Sequence, residues 1–499
     1  MTPHDAPVPA SPMAELSRRS LIAGAGASLL TLSPALGREG EAAPVPTPAR
    51  SPVDAAAPNA VANMLVLAIS PRVPLAGISD LQLGQLLSGS ITNWAEVGCP
   101  VSIPLEPLAM RGAESSSIEA VAVFPDYNAL ADAMWNSRGA MALVPLGDVD
   151  CRVAVPMING QDPLVIGDPA DPAIRVGVIG DVLPGRNVHN KMAAYGDFTR
   201  PFLRVAPLLS SFDLTVANLE GNISDTIPQP TDPHAFSFVS NTAMLEGFKL
   251  AGIDAVTLAN NHSVWSAPSE NWGLQGILDT MAALDTAGIP FFGAGYTIEQ
   301  ARKPWIADVN GTTIAWLGID GVTANYEVAP GQENGVLDYD AGATMDRPGT
   351  NPYLSEQFLA DIAAATQVAD VVIPYFHMGA EYVAVIPEWA QAGARAAIDA
   401  GAAMVVTNHP HVIQGMEIYR GKPIVYSVGN FIIDQMWGVE VRSGYILEIL
   451  IRDNRVIGLH LHPTEIEDFH QARLMNNGER ANLLGRFWDS TDRLSSRGG

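Results

Sequence analysis

IRVGVIGD (174–181) is an apolar strand that ends directly on a carboxylate. The same arrangement, an apolar run followed by a residue that can bind a metal ion or transfer a proton, recurs in LTVANLE (214–220), DAVTLANNH (254–262), VVIPYFH (371–377) and AAMVVTNHPH (402–411). Short apolar strands that alternate with helix-like segments indicate an α/β domain. Ligands of open α/β sheets bind beyond the carboxyl ends of the strands, so we expect these five ends to converge on one site.

The residues at these ends offer nitrogen and oxygen ligands and no thiolate. They are Asp181, Glu220, Asn261, His262, His377, His409 and His411. Such a set suits Mn, Fe or Zn, whereas Ca and Mg prefer oxygen ligands alone. A single histidine after a strand is usually an ordinary loop residue, but five such ends are hard to explain by chance. We therefore predict a site for two divalent ions, which together can clamp a substrate and supply hydroxide near neutral pH.

The charge balance excludes some classes of partner. The 499 residues carry a formal net charge of −25, from 28 Lys and Arg against 53 Asp and Glu. No broad surface could neutralise the phosphates of a nucleic acid or an anionic membrane. A small anionic substrate held by metal ions and a few local donors remains compatible with this balance.

The first 60 residues predict export. A twin-arginine pattern at Arg18 and Arg19 precedes a mildly apolar stretch with small residues after it, so we interpret 1–37 as a twin-arginine signal peptide and 38–60 as a disordered linker. The alternative is a disordered tail with a chance arginine pair. With no later uninterrupted run of about 18 apolar residues, we expect a soluble periplasmic or extracytoplasmic protein. Cys99 and Cys151 could pair in an oxidising compartment, or remain free.

Two folded units are expected, at 61–165 and 172–490. The first is a smaller α/β lobe, and its ITNWAEVG (91–98) resembles a passage in the phosphate-binding periplasmic proteins of bacterial transporters. RGAESSS (111–117) is either a helix start that cradles an anion or a capped, solvent-exposed helix start. The lobe is thus either a binding module or a vestigial one.

The second unit resembles the CapA family of poly-gamma-glutamate capsule synthesis proteins, which is related to calcineurin-like metallophosphoesterases. The resemblance rests on GDVLPGR, NLEG, ANNH, FHMGAEY and NHPHVIQGMEIYRGKPIVYSVGNF, and it spans 175–463. It implies a four-layer αββα sandwich with a dinuclear metal centre at the strand ends.

The resemblance also implies a role for each matching residue. Asp181 would bind the first ion, Glu220 would bridge both ions, and Asn261 would bind the second. His262 would be the general acid for the leaving group, and three further histidines would complete the two coordination shells: His377, His409 and His411. Substrate contacts would come from Arg186, Glu381 and Tyr382. The segment 263–273 departs from the family because it is longer and lacks an aspartate that relatives commonly have there.

Three functions are compatible with this sequence. The first is a metal-dependent hydrolase with phosphoesterase-like chemistry, linked to capsule or poly-gamma-glutamate biosynthesis. The second is an amide-bond hydrolase or transferase that acts on poly-gamma-glutamate at the same centre. The third is a non-catalytic capsule export or assembly component, which would bind assembly partners.

Several other polar residues receive more ordinary interpretations. Asn218 either orients Glu220 or caps the next helix. Asn430 and Asp434 are expected to fix a turn near the site. His460 and His462 alternate with leucines and are expected on the outer face of a late strand, and His470 is expected to be solvated. Trp265 and Trp272 either line a substrate cleft or pack at the edge of the domain, and the stretch 319–352 is either a lid or a surface excursion.

Overall fold

The computed structural model of the protein describes residues 64–112, 119–166, 172–230, 236–264, 273–325 and 341–495. These residues belong to one compact unit. The expected signal peptide and linker lie outside these ranges, as do both Trp265 and Trp272 and most of RGAESSS. No helix in the described ranges is long and apolar enough to cross a bilayer.

The N-terminal lobe is a small α/β layer structure. Its four-stranded sheet has the order Leu65–Ile69, Ala140–Pro145, Glu106–Met110 and Ala122–Phe124. Two short strands, Gly77–Ile78 and Met157–Ile158, pair separately. Its helices are Asp80–Leu87, Tyr127–Asn136 and Pro163–Ile166. The first helix begins with a capping box, in which Ser79 and Gln82 each accept from the other's backbone N–H. The segment thus combines strands and helices, as expected of an α/β lobe.

Two larger sheets form the rest of the described chain. The first sheet has eight strands. In spatial order they are Phe291–Phe292, Ala255–Thr257, Leu214–Leu219, Ile174–Val182, Ser443–Arg452, Arg455–Glu467 and Gln471–Leu474, with Asn430–Ile432 also paired to Ile174–Val182. The second sheet has seven strands. They are Trp305–Val309, Thr312–Asn325, Val371–His377, Val405–Asn408, Lys422–Val425 and Met416–Tyr419, with Pro352–Tyr353 also paired to Thr312–Asn325.

The two sheets pack face to face through a core of buried apolar side chains to which both contribute. In Ile174–Val182, the side chains of Val176 and Val178 belong to a core shared with Trp316 and Ile373 of the second sheet. The next residue, Ile179, points the other way and packs among the helices on the outer side of the first sheet. A period of two thus sends alternate residues to opposite faces.

Helices cover both outer faces. Those on the first sheet are Asn187–Tyr195, Ala206–Leu209, Met244–Ala251 and Gly273–Ala287. Ser355–Ala365 and Glu388–Asp399 cover the second sheet. The described chain also has two more α-helices, Ile298–Arg302 and Asn477–Ser495, and three short 3-10 helices, Trp94–Val97, Leu146–Asp148 and Arg200–Phe202. Two short strand pairs join Asn222–Ile223 with Val239–Ser240 and Ala294–Gly295 with Gly349–Thr350. The layers are helix, sheet, sheet, helix, which confirms the predicted αββα sandwich.

The lobe and the sandwich share a hydrophobic core. Leu164 of the lobe packs in the same cluster as Leu450 and Ile457 of the first sheet. Trp135 meets Trp488 edge to face at 5.4 Å between ring centroids. The lobe therefore stabilises the outer strands of the first sheet.

The packing of the lobe bears on the late histidines. His460 and His462 lie on the strand face opposite Leu459 and Leu461, which pack against the core between the sheets. This face is covered rather than open, because His460 Nε2 is 2.8 Å from Asp162 Oδ2 of the lobe. His462 Nε2 is 2.7 Å from Glu448 Oε2 on the neighbouring strand. His470 is fully buried rather than solvated, stacked on Tyr195 at 5.6 Å. Alternation within one strand cannot show that a separate lobe covers it.

Candidate metal centre

Seven candidate residues converge at one end of the sandwich. The first sheet places Asp181, Glu220, Asn261 and His262 at or just after the carboxyl ends of three parallel strands. The second sheet places His377, His409 and His411 in the same way. Each of the seven side chains is buried, with at most 6% of its surface exposed. The predicted convergence is present in the structure.

The backbone at this end is tightly constrained. A Cβ atom on Gly180 would lie 1.9 Å from the carbonyl oxygen of Gly429, so only glycine allows the strand before Asp181 to approach so closely. His409 and His411 have φ angles of 107° and 55°, in a backbone region that residues other than glycine rarely adopt. Such conformations cost on the order of 1–3 kcal/mol each and cluster at functional sites.

The buried ligand atoms form two groups that share one carboxylate. Asp181, Glu220 and His377 offer ligand atoms within 4.8 Å of one another. Glu220 forms a second group of the same span with His409 and His411. Oε1 of Glu220 lies 3.4 Å from His377 Nε2 and 3.8 Å from His411 Nε2. Glu220 thus occupies the position that a bridging carboxylate requires.

Several of these atoms have no hydrogen-bond partner among the described residues. These atoms, which are all buried, include both carboxylate oxygens of Glu220 and both ring nitrogens of His409. A buried polar atom without a partner costs on the order of 1–3 kcal/mol. Imidazole nitrogens and carboxylate oxygens together are a donor set for borderline divalent cations. The residues present therefore fit a metal ion in each group.

The environment of the site shifts the pKa of each ligand. Burial lowers the pKa of His377 to about 4, and burial with the charge of His377 lowers the pKa of His409 well below its ordinary value. Burial and the charge of Asp181 raise the pKa of Glu220 well above its ordinary range. Burial opposes the charged form of His411, but Glu220 and Asp181 outweigh it and raise its pKa to about 10. At neutral pH, His377 and His409 are neutral and have a lone pair for a metal ion.

His262 lies beside the two groups, with Nε2 3.9 Å from Glu220 Oε1. Burial and the charges of His411 and His377 lower its pKa to about 3. Its ring meets Phe238 edge to face at 4.8 Å, and the guanidinium of Arg186 lies over that same phenylalanine at 4.5 Å. Phe238 thus separates the imidazole from the cation, a contact that the sequence did not indicate.

A ring of asparagines holds the ligands in place. Asn218 Nδ2 donates to Asp181 Oδ1 at 2.7 Å and lies 3.3 Å from His377 Nδ1, so Asn218 orients these two residues rather than Glu220. Asn430 Oδ1 lies 2.9 Å from His411 Nδ1, and its Nδ2 donates to the carbonyl of the same histidine at 3.1 Å. Asn261 Oδ1 lies 2.7 Å from His377 Nε2. Such partners fix the orientation of metal-binding side chains.

Two supporting residues escaped the sequence analysis. Asn260 donates from Nδ2 to Asn218 Oδ1 at 2.9 Å and so fixes the asparagine that orients Asp181. Asp320 is fully buried and aligned with His377 on the adjacent parallel strand. Its carboxylate accepts from the backbone N–H groups of Val322 and Thr323, each at 3.0 Å. Asp320 lies inside the strand Thr312–Asn325, so the pattern of apolar runs that end on a ligand did not mark it.

The predicted substrate-contact residues lie at the edge of the centre. Arg186 forms a salt bridge with Asp434, which also accepts from Asn187 Nδ2 at 3.1 Å. Asp434 therefore fixes Arg186 and the start of the helix Asn187–Tyr195. The ring of Tyr382 lies 5.9 Å from that of His411 and is 43% exposed, and its hydroxyl accepts from Gln435 Nε2 at 2.7 Å. Glu381 is half-buried, and its negative charge contributes to raising the pKa of His411 and of Glu220.

The fold and the site define this protein as a mixed α/β sandwich with clustered carboxylates and histidines at its strand ends. A family model described as "Bacterial capsule synthesis protein PGA_cap" matches residues 175–435, which is more than half of the chain. The chain belongs to this family of capsule synthesis proteins, as its motifs predicted.

Individual relatives agree with this family. The chain is 27% identical over 300 residues to the PGA biosynthesis protein CapA of Bacillus subtilis, covering 60% of this chain and 73% of that protein. It is 28% identical over 299 residues to the capsule biosynthesis protein CapA of Bacillus anthracis, covering 58% of this chain and 67% of that protein. The family, rather than any one relative, therefore gives the assignment.

Two solved structures are also similar, at low scores. The protein TT1561 of Thermus thermophilus is 12% identical, with a TM-score of 0.32, over 58% of this chain and 98% of that one. An ABC-type phosphate transport receptor from Vibrio cholerae is 19% identical, with a TM-score of 0.18, over 20% of this chain and 47% of that one. The assignment of the fold rests on the sheets described above, and phosphate binding by the lobe stays a prediction.

Proposed function

We propose that this protein is an exported metal-dependent hydrolase with a dinuclear centre, acting in capsule or poly-gamma-glutamate biosynthesis. The observation that carries the proposal is the position of Glu220, whose buried carboxylate offers a ligand atom to both groups. The reaction that fits this site best is hydrolysis of a phosphoester.

The two groups assign the ligands. Asp181, Glu220 and His377 would hold one ion, with Asn261 beside His377, and Glu220, His409 and His411 would hold the other. Bound ions would supply positive charge that polarises the substrate and lowers the pKa of water. The asparagine ring keeps the ligands oriented before substrate arrives, which reduces the reorganisation that catalysis requires.

The side chains around the two groups would transfer a proton and contact the substrate. His262 is neutral at neutral pH, so it can accept a proton from the attacking water and pass that proton to the leaving oxygen. Arg186, fixed by Asp434, would contact an anionic oxygen of the substrate. Glu381 and Tyr382 would line the approach to His411.

Family membership favours a second reaction at the same centre. An amide bond of poly-gamma-glutamate is also open to attack by a hydroxide, so hydrolysis or transfer of that polymer is the alternative. The formal net charge of −25 disfavours tight binding of a long polyanion. The third alternative is a non-catalytic role in capsule export or assembly, in which the buried site would catalyse no reaction.

The first experiment is a metal analysis of the purified protein. We expect about two transition-metal ions per chain in the wild type and a loss of metal in His409→Ala/His411→Ala. His460→Ala/His462→Ala is the matched control, because it removes two histidines with the same spacing that bond Asp162 and Glu448 instead. Turnover of a chromogenic phosphoester, with no shortening of poly-gamma-glutamate, would support the first reaction over the second. A folded wild type that takes up no Mn, Fe or Zn would contradict the proposal.

Export by the twin-arginine route is part of the proposal. That route carries folded proteins, which suits a chain that acquires its metal before it leaves the cytoplasm. In cell fractionation, Arg18→Lys/Arg19→Lys is expected to keep the protein in the cytoplasmic fraction while the wild type is exported. Equal export of both proteins would contradict this route.

A further inference from the structure

A cavity of about 160 Å³ lies where the N-terminal lobe meets the sandwich, and none of the candidate metal ligands lines it. The lobe contributes Ile69 and Val153 to its walls, the first sheet contributes Leu461, and the helix Asn477–Ser495 contributes Leu484. A cavity of about 150 Å³ with aliphatic and aromatic walls is large enough to bind benzene. The junction cavity therefore has room for one benzene-sized group that contacts the lobe and the sandwich together.

Three aromatic side chains form one side of the junction cavity. Trp135 of the lobe meets Trp488 edge to face at 5.4 Å between ring centroids, and Trp488 meets Phe487 edge to face at 5.1 Å. Aromatic rings attract one another in edge-to-face and offset-stacked arrangements, beyond the gain from apolar burial. These walls thus favour an aromatic ring over an aliphatic group of the same size.

Arg480 brings a cation to the junction cavity. This residue is half-buried on the helix Asn477–Ser495, and its Nε is buried without a hydrogen-bond partner among the described residues. Burial lowers the pKa of the guanidinium. The adjacent carboxylate of Glu479 does not compensate, because it accepts from Nη1 and Nη2 of Arg473 at 2.8 and 2.9 Å. A buried cationic donor without an acceptor is unfavourable, and a carboxylate satisfies a guanidinium through two parallel hydrogen bonds.

The other charges beside the junction cavity are paired with one another. Burial opposes the charged form of His460, but Asp162, 2.8 Å from its Nε2, outweighs this effect and raises its pKa. Glu448 is balanced by Arg175, whose Nε donates to Oε1 at 2.6 Å. Arg480 therefore leaves one positive charge to be neutralised. A ligand with one carboxylate neutralises it, whereas a dianion would leave a negative charge against apolar walls.

We propose that the junction cavity binds an aromatic monocarboxylate, with its ring among Trp135, Phe487 and Trp488 and its carboxylate on the guanidinium of Arg480. Such a ligand would contact the lobe and the sandwich at once, so its binding should raise the Tm of the protein. The site shares no lining residue with the candidate metal centre and is independent of the proposed hydrolysis.

The test uses benzoate and two matched probes on the full-length protein, titrated by saturation-transfer difference NMR. Benzamide keeps the shape of benzoate without its charge, and acetate keeps the carboxylate without the ring. We expect the wild type to bind benzoate at least tenfold more tightly than either probe. Arg480→Gln should weaken the binding of benzoate at least tenfold and leave the binding of benzamide unchanged. Because Nε of Arg480 bonds no described residue, the ligand-free variant should have a Tm no lower than that of the wild type.

Arg486→Gln is the matched control variant. Arg486 lies on the same helix, and its Nε is equally buried and unpartnered among the described residues, but it lines a different cavity. This variant should bind benzoate as the wild type does. Benzoate should also bind to His409→Ala/His411→Ala with unchanged affinity, which would place it outside the metal centre.

Several results would overturn the junction site. A wild type that binds no benzoate, or binds benzamide or acetate as tightly, would do so without any variant. Unchanged affinity for benzoate in Arg480→Gln would exclude the guanidinium as the anchor. Loss of benzoate binding in the histidine variant would assign the ligand to the metal centre instead.

Discussion

Glu220→Gln is expected to abolish binding of both metal ions, whereas His409→Ala is expected to remove or weaken only one. The reason is geometric, because Glu220 belongs to both groups of ligand atoms and His409 to one. The amide of glutamine keeps the shape of the side chain but loses the negative charge that two cations would share. Elemental analysis and metal titration of the purified variants measure this difference directly.

The same substitution has a thermodynamic signature. A ligand that binds only the folded state stabilises it by about 2.7 kcal/mol when present at roughly one hundred times its Kd. The Tm of the wild type should therefore rise on addition of Mn, Fe or Zn, and the Tm of Glu220→Gln should not. Phosphoester turnover should disappear with the metal.

Glu448→Gln is the control for the loss of a buried glutamate. Glu448 is 1% exposed in the same sheet, but Arg175 Nε and His462 bind its two oxygens at 2.6 and 2.7 Å. This control should lower the Tm and leave the metal content unchanged. If Glu220→Gln retained both ions, or lost one only, Glu220 would not be the shared ligand.

The sequence could predict the clustering of carboxylates and histidines because these residues follow buried strands. An apolar run that stops at Asp181 or His377 marks both the end of a strand and the identity of the ligand. Parallel strands bring such ends together at one edge, so few tertiary details were needed. The alternation of Val176, Val178 and Ile179 between two cores likewise follows from the period of a strand.

Contacts between distant segments could not be predicted in this way. Asn218 orients Asp181 and His377, although a sequence pattern offered only Glu220 or a helix cap as its partner. His460 is covered by the N-terminal lobe through Asp162, which lies 298 positions earlier in the chain. Phe238 and Asp320 support the centre by packing and by local hydrogen bonds, which have no motif of their own. A single sequence specifies these contacts only through the complete fold.

His262→Ala is expected to lower kcat by about 10²- to 10⁴-fold, the usual contribution of a general acid or base, while the metal content stays unchanged. His262 contacts Glu220 at 3.9 Å but belongs to neither group of ligand atoms, so its loss removes a proton carrier and no metal ligand. The loss should depend on the leaving group. The departing oxygen of a phenyl ester needs a proton, so kcat for this ester should fall strongly. A 4-nitrophenyl ester releases 4-nitrophenolate, which is a stable anion without a proton, so its kcat should fall little.

His189→Ala is the matched control for this prediction. His189 is half-buried on the helix Asn187–Tyr195, with Nδ1 3.1 Å from Ser240 Oγ, and it contributes to neither group of ligand atoms. It should retain turnover of both esters. Loss of metal in His262→Ala would identify His262 as a ligand instead, and an equal loss of kcat for the two esters would argue against proton transfer to the leaving group. Because the two esters share one metal centre, only a residue that acts on the leaving oxygen can separate them.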